Sequence, residues 1–307
     1  MRRTILLLRT NSMQSTILVT GANGQVGFEL TRSLQGLGAI VALDRSGLDL
    51  ADLAQIRAVV RQIKPALIIN AAAYTAVDRA ESEPELAQRV NGDAPGVLAE
   101  EAQRLGAPLI HYSTDYVFDG TKDGAYVEDD APNPQNVYGQ SKLAGERAIA
   151  AAGGAHMVFR TSWVYGRYGK NFLLTMLRLA AERPELRIVA DQHGAPTWSA
   201  TIATMTAHVV AQGLASRRDD ADWWRKKSGV YHLTASGSTS WFGFAEAIFE
   251  LSALESKPKV VPIAASDYPV PAKRPANSRL VNDKLAAAFD LCPVDWRDAL
   301  RLALGAA

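Results

Sequence analysis

The chain has 307 residues, 48% hydrophobic and 21% charged, with 33 Lys+Arg against 32 Asp+Glu. That length can bury a large core in one domain or one and a half. A net charge of +1 excludes the basic excess of a nucleic-acid or anionic-membrane binder. The single cysteine, Cys292, excludes an intramolecular disulfide and a cysteine zinc site. No apolar run approaches the roughly 20 residues that cross a bilayer, and a cytoplasmic setting is expected.

The first residues, Met1 to Leu8, resemble the start of a secretory signal. Their apolar part is only four residues long before Arg9, short of the ~7–15 such a signal needs. Met13 stands just before the first strand pattern, so residues 1–12 read as a non-functional extension from an upstream start.

Residues 13–165 alternate strand and helix patterns and read as a dinucleotide-binding domain. Residues 17–20 are a β-branched strand, followed by Gly21-Ala22-Asn23-Gly24-Gln25-Val26-Gly27 and a helix over 28–37. Strand, glycine turn, helix is the phosphate-binding βαβ arrangement. Gly21 permits the tight turn, Gly24 lets the backbone approach a pyrophosphate, and Gly27 lets the helix pack closely. The helix N-terminus then offers free N–H groups and a favourable dipole to the anion. A second strand spans 39–43, and Asp44-Arg45 follows it. An acid here suits the ribose hydroxyls of NAD, whereas an adjacent arginine suits the 2′-phosphate of NADP, so both NADH and NADPH are expected to serve. A helix opens at 49–53, a third strand covers 66–70, and the small-residue turn 71–75 lies at its carboxyl end.

One helix is expected over 84–105, ending near Gly106, then a fourth strand over 109–113. Its carboxyl end carries Ser113-Thr114-Asp115-Tyr116, whose hydroxyls and carboxylate suit a substrate carbonyl. A polar loop over 128–134 delivers Tyr138, and Lys142 follows four residues later. On a helix the two side chains share a face. A nearby ammonium is expected to lower the phenol pKa from its usual ~10 and fit it for proton transfer. His111, on an apolar strand, reads as a packed core residue.

Residues 166–307 read mainly as a substrate lobe, with segments that return to the first sheet. Helices are expected over 171–183, 198–215 and 240–254, and strands over 186–189, 230–233 and 260–263. The mixed-charge stretch 216–227 reads as a surface insertion whose two tryptophans pack rather than bind. The proline-rich stretch 268–275 cannot be regular helix. Its Lys273 and Arg274 suit a nucleotide diphosphate. Residues beyond 280 read as helices through 306.

G-x-x-G-x-x-G, N-A-A-A, S-T-D and Y-x-x-x-K, in this order and at these separations, resemble the extended short-chain dehydrogenase/reductases. The motifs S-T-D-Y-V-F-D-G (113–120), R-T-S-W-V-Y-G (160–166), D-Q-H-G-A-P-T (191–197) and R-P-A-N-S-R-L (274–280) narrow the likeness to the dTDP-4-dehydrorhamnose reductase family. The resemblance runs from about residue 17 to about 300. It implies an α/β fold, a Rossmann-type doubly wound parallel sheet with a smaller interleaved C-terminal lobe, and NAD(P)H-dependent reduction of a sugar C4 ketone. It makes Tyr138 the acid, Lys142 the holder of the nicotinamide ribose, and Thr114 the partner of the substrate carbonyl. Cofactor contacts are implied at Gly24, Gln25, Val26, Asp49, Leu50, Ala73, Tyr74 and Thr75. Substrate contacts are implied at Thr114, Asp115 and Trp163, and the sugar is expected to depend further on Gln192 and its neighbours and on Arg274. His193 reads as a loop residue near the nucleotide. Glu29 matches a position where some members of the family bridge a dimer through Mg2+, but Asp290, Asp295 and Asp298 offer no clear partners, so metal-bridged homodimer and monomer both stay open. Rival readings are a nucleotide-sugar epimerase, a 4,6-dehydratase, and a non-catalytic NADP-binding regulatory subunit. Tyr116, where a dehydratase carries Glu, speaks against the second.

Overall fold

The computed structural model describes residues 15–216 and 219–305. The extension expected over 1–12 lies outside the described residues. At the centre is a six-stranded sheet. It contains β1 (Thr16–Thr20), β2 (Ala39–Leu43), β3 (Leu67–Asn70), β4 (Leu109–Thr114), β5 (His156–Thr161) and the late strand Gly229–His232. The order across the sheet is β2-β1-β3-β4-β5 and then Gly229–His232, with every neighbouring pair parallel. Order reverses at β1, which has β2 on one side and β3 on the other. That is the switch point where an open α/β sheet leaves a crevice beyond its carboxyl ends.

The near-continuous apolar strands follow from helices covering both faces. Ile17, Val19, Leu67, Ile69, Ile110, Met157 and Phe159 point to one side, against the helices Gln25–Ser33 and Ser199–Ser216. Leu18, Ile68, Leu109 and Val158 point to the other, against Leu53–Ile63, Ala94–Leu105 and Val137–Ala152. The period-2 alternation is thus legible within runs that look uniformly hydrophobic. A third core joins Tyr165, Leu173, Met176, Leu186, Phe244, Ile248 and Leu300 in a separate lobe. This lobe has its own two-stranded parallel sheet, Glu185–Val189 with Lys259–Ile263.

Three local expectations change. The glycine-turn helix starts at Gln25, not 28, because Gly24 itself is the N-cap, and it ends at Ser33. The helix expected over 84–105 is broken. Pro84–Gln88 runs into a π-turn at Arg89–Asp93 before Ala94–Leu105, and Gly106 closes the last segment in the left-handed region at φ 64°. The helix expected to open at 49–53 starts at Leu53, with the Asp52 carboxylate accepting from the N–H groups of Ala54 and Gln55. Of the two tryptophans of 216–227, Trp224 is buried and occupies the space a side chain at Gly213 would need, and Trp223 leans on Phe289.

Candidate functional site

A cleft of about 530 Å3 opens over the carboxyl ends of β1, β3 and β4. Its walls hold Gly21, Gly24, Gln25 and Val26 from the first turn, Asp44, Arg45, Asp49 and Leu50 beyond β2, Ala73, Tyr74 and Thr75 beyond β3, and Tyr138 and Lys142. Gly27 is not on the wall. A Cβ there would lie 2.1 Å from the Gly21 carbonyl oxygen, so its role is close packing of the turn on its own helix. Gly21 adopts φ +70°, and a side chain on it would run into the backbone of Ala72. The helix behind the turn has no side-chain cap at Gly24. Its first N–H groups therefore remain as donors at the cleft wall, the arrangement that takes a phosphate.

The Asp44 carboxylate is already engaged by the Ser46 N–H at 2.9 Å, the Ser46 hydroxyl at 2.6 Å and the Asn23 amide at 2.7 Å. These bonds hold its pKa below the ordinary value, the Ser46 hydroxyl contributing most. Arg45 makes only a loose pair with Asp49 at 3.4 Å and is largely exposed. On the far wall the π-turn pulls Asn91 inward. Its Oδ1 accepts from the Tyr74 N–H at 2.8 Å, and its Nδ2 donates to the Tyr74 carbonyl at 3.0 Å and to Ser141 Oγ at 3.2 Å. One buried amide therefore clamps the Ala73–Thr75 turn to the tyrosine helix. The residue was not anticipated, because V-N-G-D is compatible with plain helix and only the tertiary contact shows the bulge.

The tyrosine helix, Val137–Ala152, is capped by Asn136, whose Oδ1 accepts from the Gly139 N–H at 2.8 Å. A Cβ at Gly139 would sit 2.2 Å from the Tyr116 carbonyl oxygen. That close approach brings Tyr138 against the turn after β4, on the side where Asp115 and Thr114 act on its phenol. The Tyr116 ring meets the Tyr138 ring edge-on at 5.5 Å.

The electrostatics differ from expectation. The Lys142 ammonium does not lower the phenol pKa. Desolvation in the cleft is the largest effect and, with the Asp115 charge, pushes the Tyr138 pKa above its ordinary value. Lys142 turns instead to the Tyr112 carbonyl at 2.6 Å and to His111 Nε2 at 3.1 Å, and burial brings its pKa down to about 8. Thr114 Oγ1 donates to Asp115 Oδ1 at 2.9 Å and accepts from the Tyr116 N–H at 3.2 Å. Asp115 is buried, its Oδ2 has no hydrogen-bond partner among the described residues, and burial pushes its pKa up to about 6.

The other residues singled out in the sequence lie around this centre. Arg274 reaches Tyr116 Oη at 3.0 Å, but its charge is paired with Asp78 at 2.7 Å. Trp163 takes a left-handed backbone at φ 48°, unusual for a bulky residue and costly by about 1–3 kcal/mol. Its ring stacks on Trp241 at 3.6 Å and fills the space above Gly194. Gln192 is half-buried. His193 is exposed and belongs to the short strand His193–Gly194, not to a loop, and it does not line the cleft. Glu29 is half-buried on the glycine-turn helix. Asp295 caps the helix Trp296–Leu304 and Asp298 pairs with Arg301. No group of three or more His, Cys, Asp or Glu side chains among the described residues gathers as metal ligands. Among the same residues no helix is long and apolar enough to cross a membrane.

This architecture has close parallels. The family described as RmlD substrate binding domain matches residues 15–307. The chain is 52% identical over 292 residues to a dTDP-4-dehydrorhamnose reductase of Burkholderia thailandensis, covering 93% of this chain and 97% of that protein. It is 45% identical to the dTDP-4-dehydrorhamnose reductase of Escherichia coli K12, covering 92% and 94%. The crystal structure of a dTDP-4-dehydrorhamnose reductase from Bacillus anthracis in complex with NADP superposes with a TM-score of 0.87 at 36% identity, covering 96% of this chain and all of that one. With the glycine turn, the Tyr138–Lys142 helix and the second lobe in one continuous match, the chain belongs to the dTDP-4-dehydrorhamnose reductase family.

Proposed function

We propose that this protein reduces the C4 ketone of dTDP-4-dehydro-L-rhamnose to dTDP-L-rhamnose, using NADPH and, less well, NADH. The observation that carries the reading is one cleft that brings the Tyr138 phenol and the Lys142 amine beside a glycine turn whose helix end is uncapped. The cofactor would lie in the cleft, with its phosphates at the turn 21–26 and its nicotinamide ribose toward Lys142; bound there, it supplies the hydride. The protein's own part is a proton and its placement. Negative charge develops on the C4 oxygen, and Tyr138 protonates it. The Thr114 hydroxyl turns from Asp115 to donate to the same oxygen. Asp115, with a free carboxylate oxygen, takes a sugar hydroxyl, and Trp163 with Gln192 lines the sugar's outer side. Arg274 exchanges Asp78 for the diphosphate, which accepts a bidentate guanidinium better than one carboxylate oxygen does.

The test is NADPH oxidation on adding the 4-keto-6-deoxy sugar nucleotide. A reductase consumes one equivalent per ketone, whereas an epimerase or a non-catalytic binding subunit leaves the absorbance unchanged. The nucleotide preference has its own expected outcome. Asp44 is spent on Asn23 and Ser46 while Arg45 is free to swing, so Arg45→Ala should raise KM for NADPH about tenfold, the worth of one charge-assisted hydrogen bond. KM for NADH should stay within about twofold, because no 2′-phosphate is lost. Equal effects on the two cofactors would remove Arg45 from the site.

A further inference from the structure

Lys142 is held by a buried line of polar side chains for which proton transfer at Tyr138 gives no reason. Its Nζ lies 3.1 Å from His111 Nε2. The other ring nitrogen, Nδ1, lies 2.9 Å from Asn70 Nδ2, and Asn70 Oδ1 accepts from the Thr20 hydroxyl at 2.5 Å. Thr20 Oγ1 in turn accepts from the Ala72 N–H at 3.3 Å. Thr20, Asn70, His111 and Lys142 are each no more than 2% exposed. Three of them sit on β1, β3 and β4, at positions where an apolar side chain would pack without the cost of burying polar atoms. Such a line is tolerated only when every member is bonded. Its course is also informative. Thr20 immediately precedes the Gly21 turn, and Asn70 immediately precedes the Ala71–Thr75 turn. The line therefore starts at the two turns that seat the nucleotide and ends at the lysine.

We propose that His111 is a positioning residue that fixes the Lys142 amine and, through Asn70 and Thr20, ties its placement to the two nucleotide-binding turns. The inference rests on the assignment of Tyr138 and Lys142 above. The ring does this as a neutral imidazole, with one nitrogen donating and the other accepting. With the Asn70 amide assigned as donor to Nδ1, the ring proton is on Nε2 and faces a neutral amine, whose own hydrogen goes to the Tyr112 carbonyl. A protonated Lys142 demands the other tautomer, with the Asn70 amide turned so that its oxygen meets Nδ1–H. Burial and the lysine charge keep His111 itself from titrating near neutral pH, holding its pKa well below 6.5. The ring thus reports the state of Lys142 without acting as an acid.

Two variants of the full chain, His111→Leu and His111→Gln, are compared with the unaltered protein in NADPH oxidation, and the histidine ring nitrogens are read by long-range 15N–1H NMR. His111→Leu should lower kcat about tenfold, the worth of one hydrogen bond to a charged group, with KM for the sugar nucleotide within about twofold. His111→Gln, whose amide bonds both ways, should recover most of the loss. The NMR should show His111 as a single neutral tautomer whose ring shifts change in Lys142→Met. Normal turnover in His111→Leu overturns the proposal. So does a His111→Gln variant as slow as His111→Leu, and so do ring shifts unmoved by Lys142→Met. If His111→Leu fails to fold, the glutamine variant and the NMR decide. The NMR needs no turnover, so in a protein that never oxidises NADPH, which refutes the reductase reading, the ring shifts alone decide whether His111 fixes the Lys142 amine.

Discussion

Tyr138→Phe should lower turnover by about two to four powers of ten, the usual worth of a positioned acid, while NADPH binds as before. The substitution removes one oxygen and little else. Phenylalanine keeps the edge contact with Tyr116, and the helix keeps its Asn136 cap and the close approach at Gly139. The raised phenol pKa also bears on the protonation state from which Tyr138 would act. A group whose pKa lies above its ordinary 10.0 stays protonated through neutral and mildly alkaline pH. In the proposed role Tyr138 would therefore be loaded as an acid for a ketone, and its ionisation should not limit reduction between pH 7 and 10. In the proposed mechanism, residual turnover in the variant would reflect the Thr114 hydroxyl and binding alone. Two measurements separate the effects: fluorescence titration of NADPH for binding, and single-turnover absorbance for the chemical step. Near-normal turnover would take the acid role from Tyr138; lost NADPH binding would mean that the phenol serves the cofactor seat instead.

The parts of this fold legible in the sequence are those whose physics is local. The turn from Gly21 to Gly27 is written in backbone freedom and close packing, so the glycines themselves announce it. Strands such as Thr16–Thr20 announce themselves by apolar, β-branched runs, and Tyr138 and Lys142 share a helix face by spacing alone. What stayed hidden depends on contacts between distant segments. The π-turn at Arg89–Asp93 has no signature within its own five residues; it exists because Asn91 gains the Tyr74 backbone and Ser141 as partners. His111 looked like core packing and is indeed buried, but its two nitrogens meet residues 41 positions before it and 31 after it. The expected lowering of the phenol pKa failed for a related reason. Helical spacing puts the lysine on the right face but does not say where a four-carbon stem ends, and the Tyr112 carbonyl and His111 capture the amine first. The suitability of Arg274 for a diphosphate is legible from its chemistry, but its pairing with Asp78, 196 residues away, is not.

Glu146→Leu should cost about 3–5 kcal/mol of stability, the penalty for leaving a buried charge without its partner. Glu146 lies one turn beyond Lys142 on the tyrosine helix. Its two carboxylate oxygens accept from Arg160 Nε at 3.0 Å and Nη2 at 2.7 Å in a fork, and both side chains are about 5% exposed. The Arg160 guanidinium also lies 5.1 Å over the Phe118 ring, and its remaining reach is a long contact to the Glu128 carbonyl at 3.4 Å. Without Glu146 these weak contacts cannot replace a charged acceptor, and water does not reach the site. The pair is better understood as an alignment device than as net stabilisation, since forming it required taking both ions out of water. Accordingly Glu146→Leu with Arg160→Met, which removes both charges and keeps the volume, should recover most of the lost stability. Chemical denaturation of the three proteins, compared at their midpoints, checks this. Turnover should follow the same order, because the fork pins β5 to the helix that carries Tyr138 and Lys142, and a loosened helix displaces Tyr138 from the turn after β4 and Lys142 from the Tyr112 carbonyl. A single variant as stable as the unaltered chain would show that solvent reaches Arg160; a double variant no better than the single one would show that the fork holds the helix in a way that packing alone cannot.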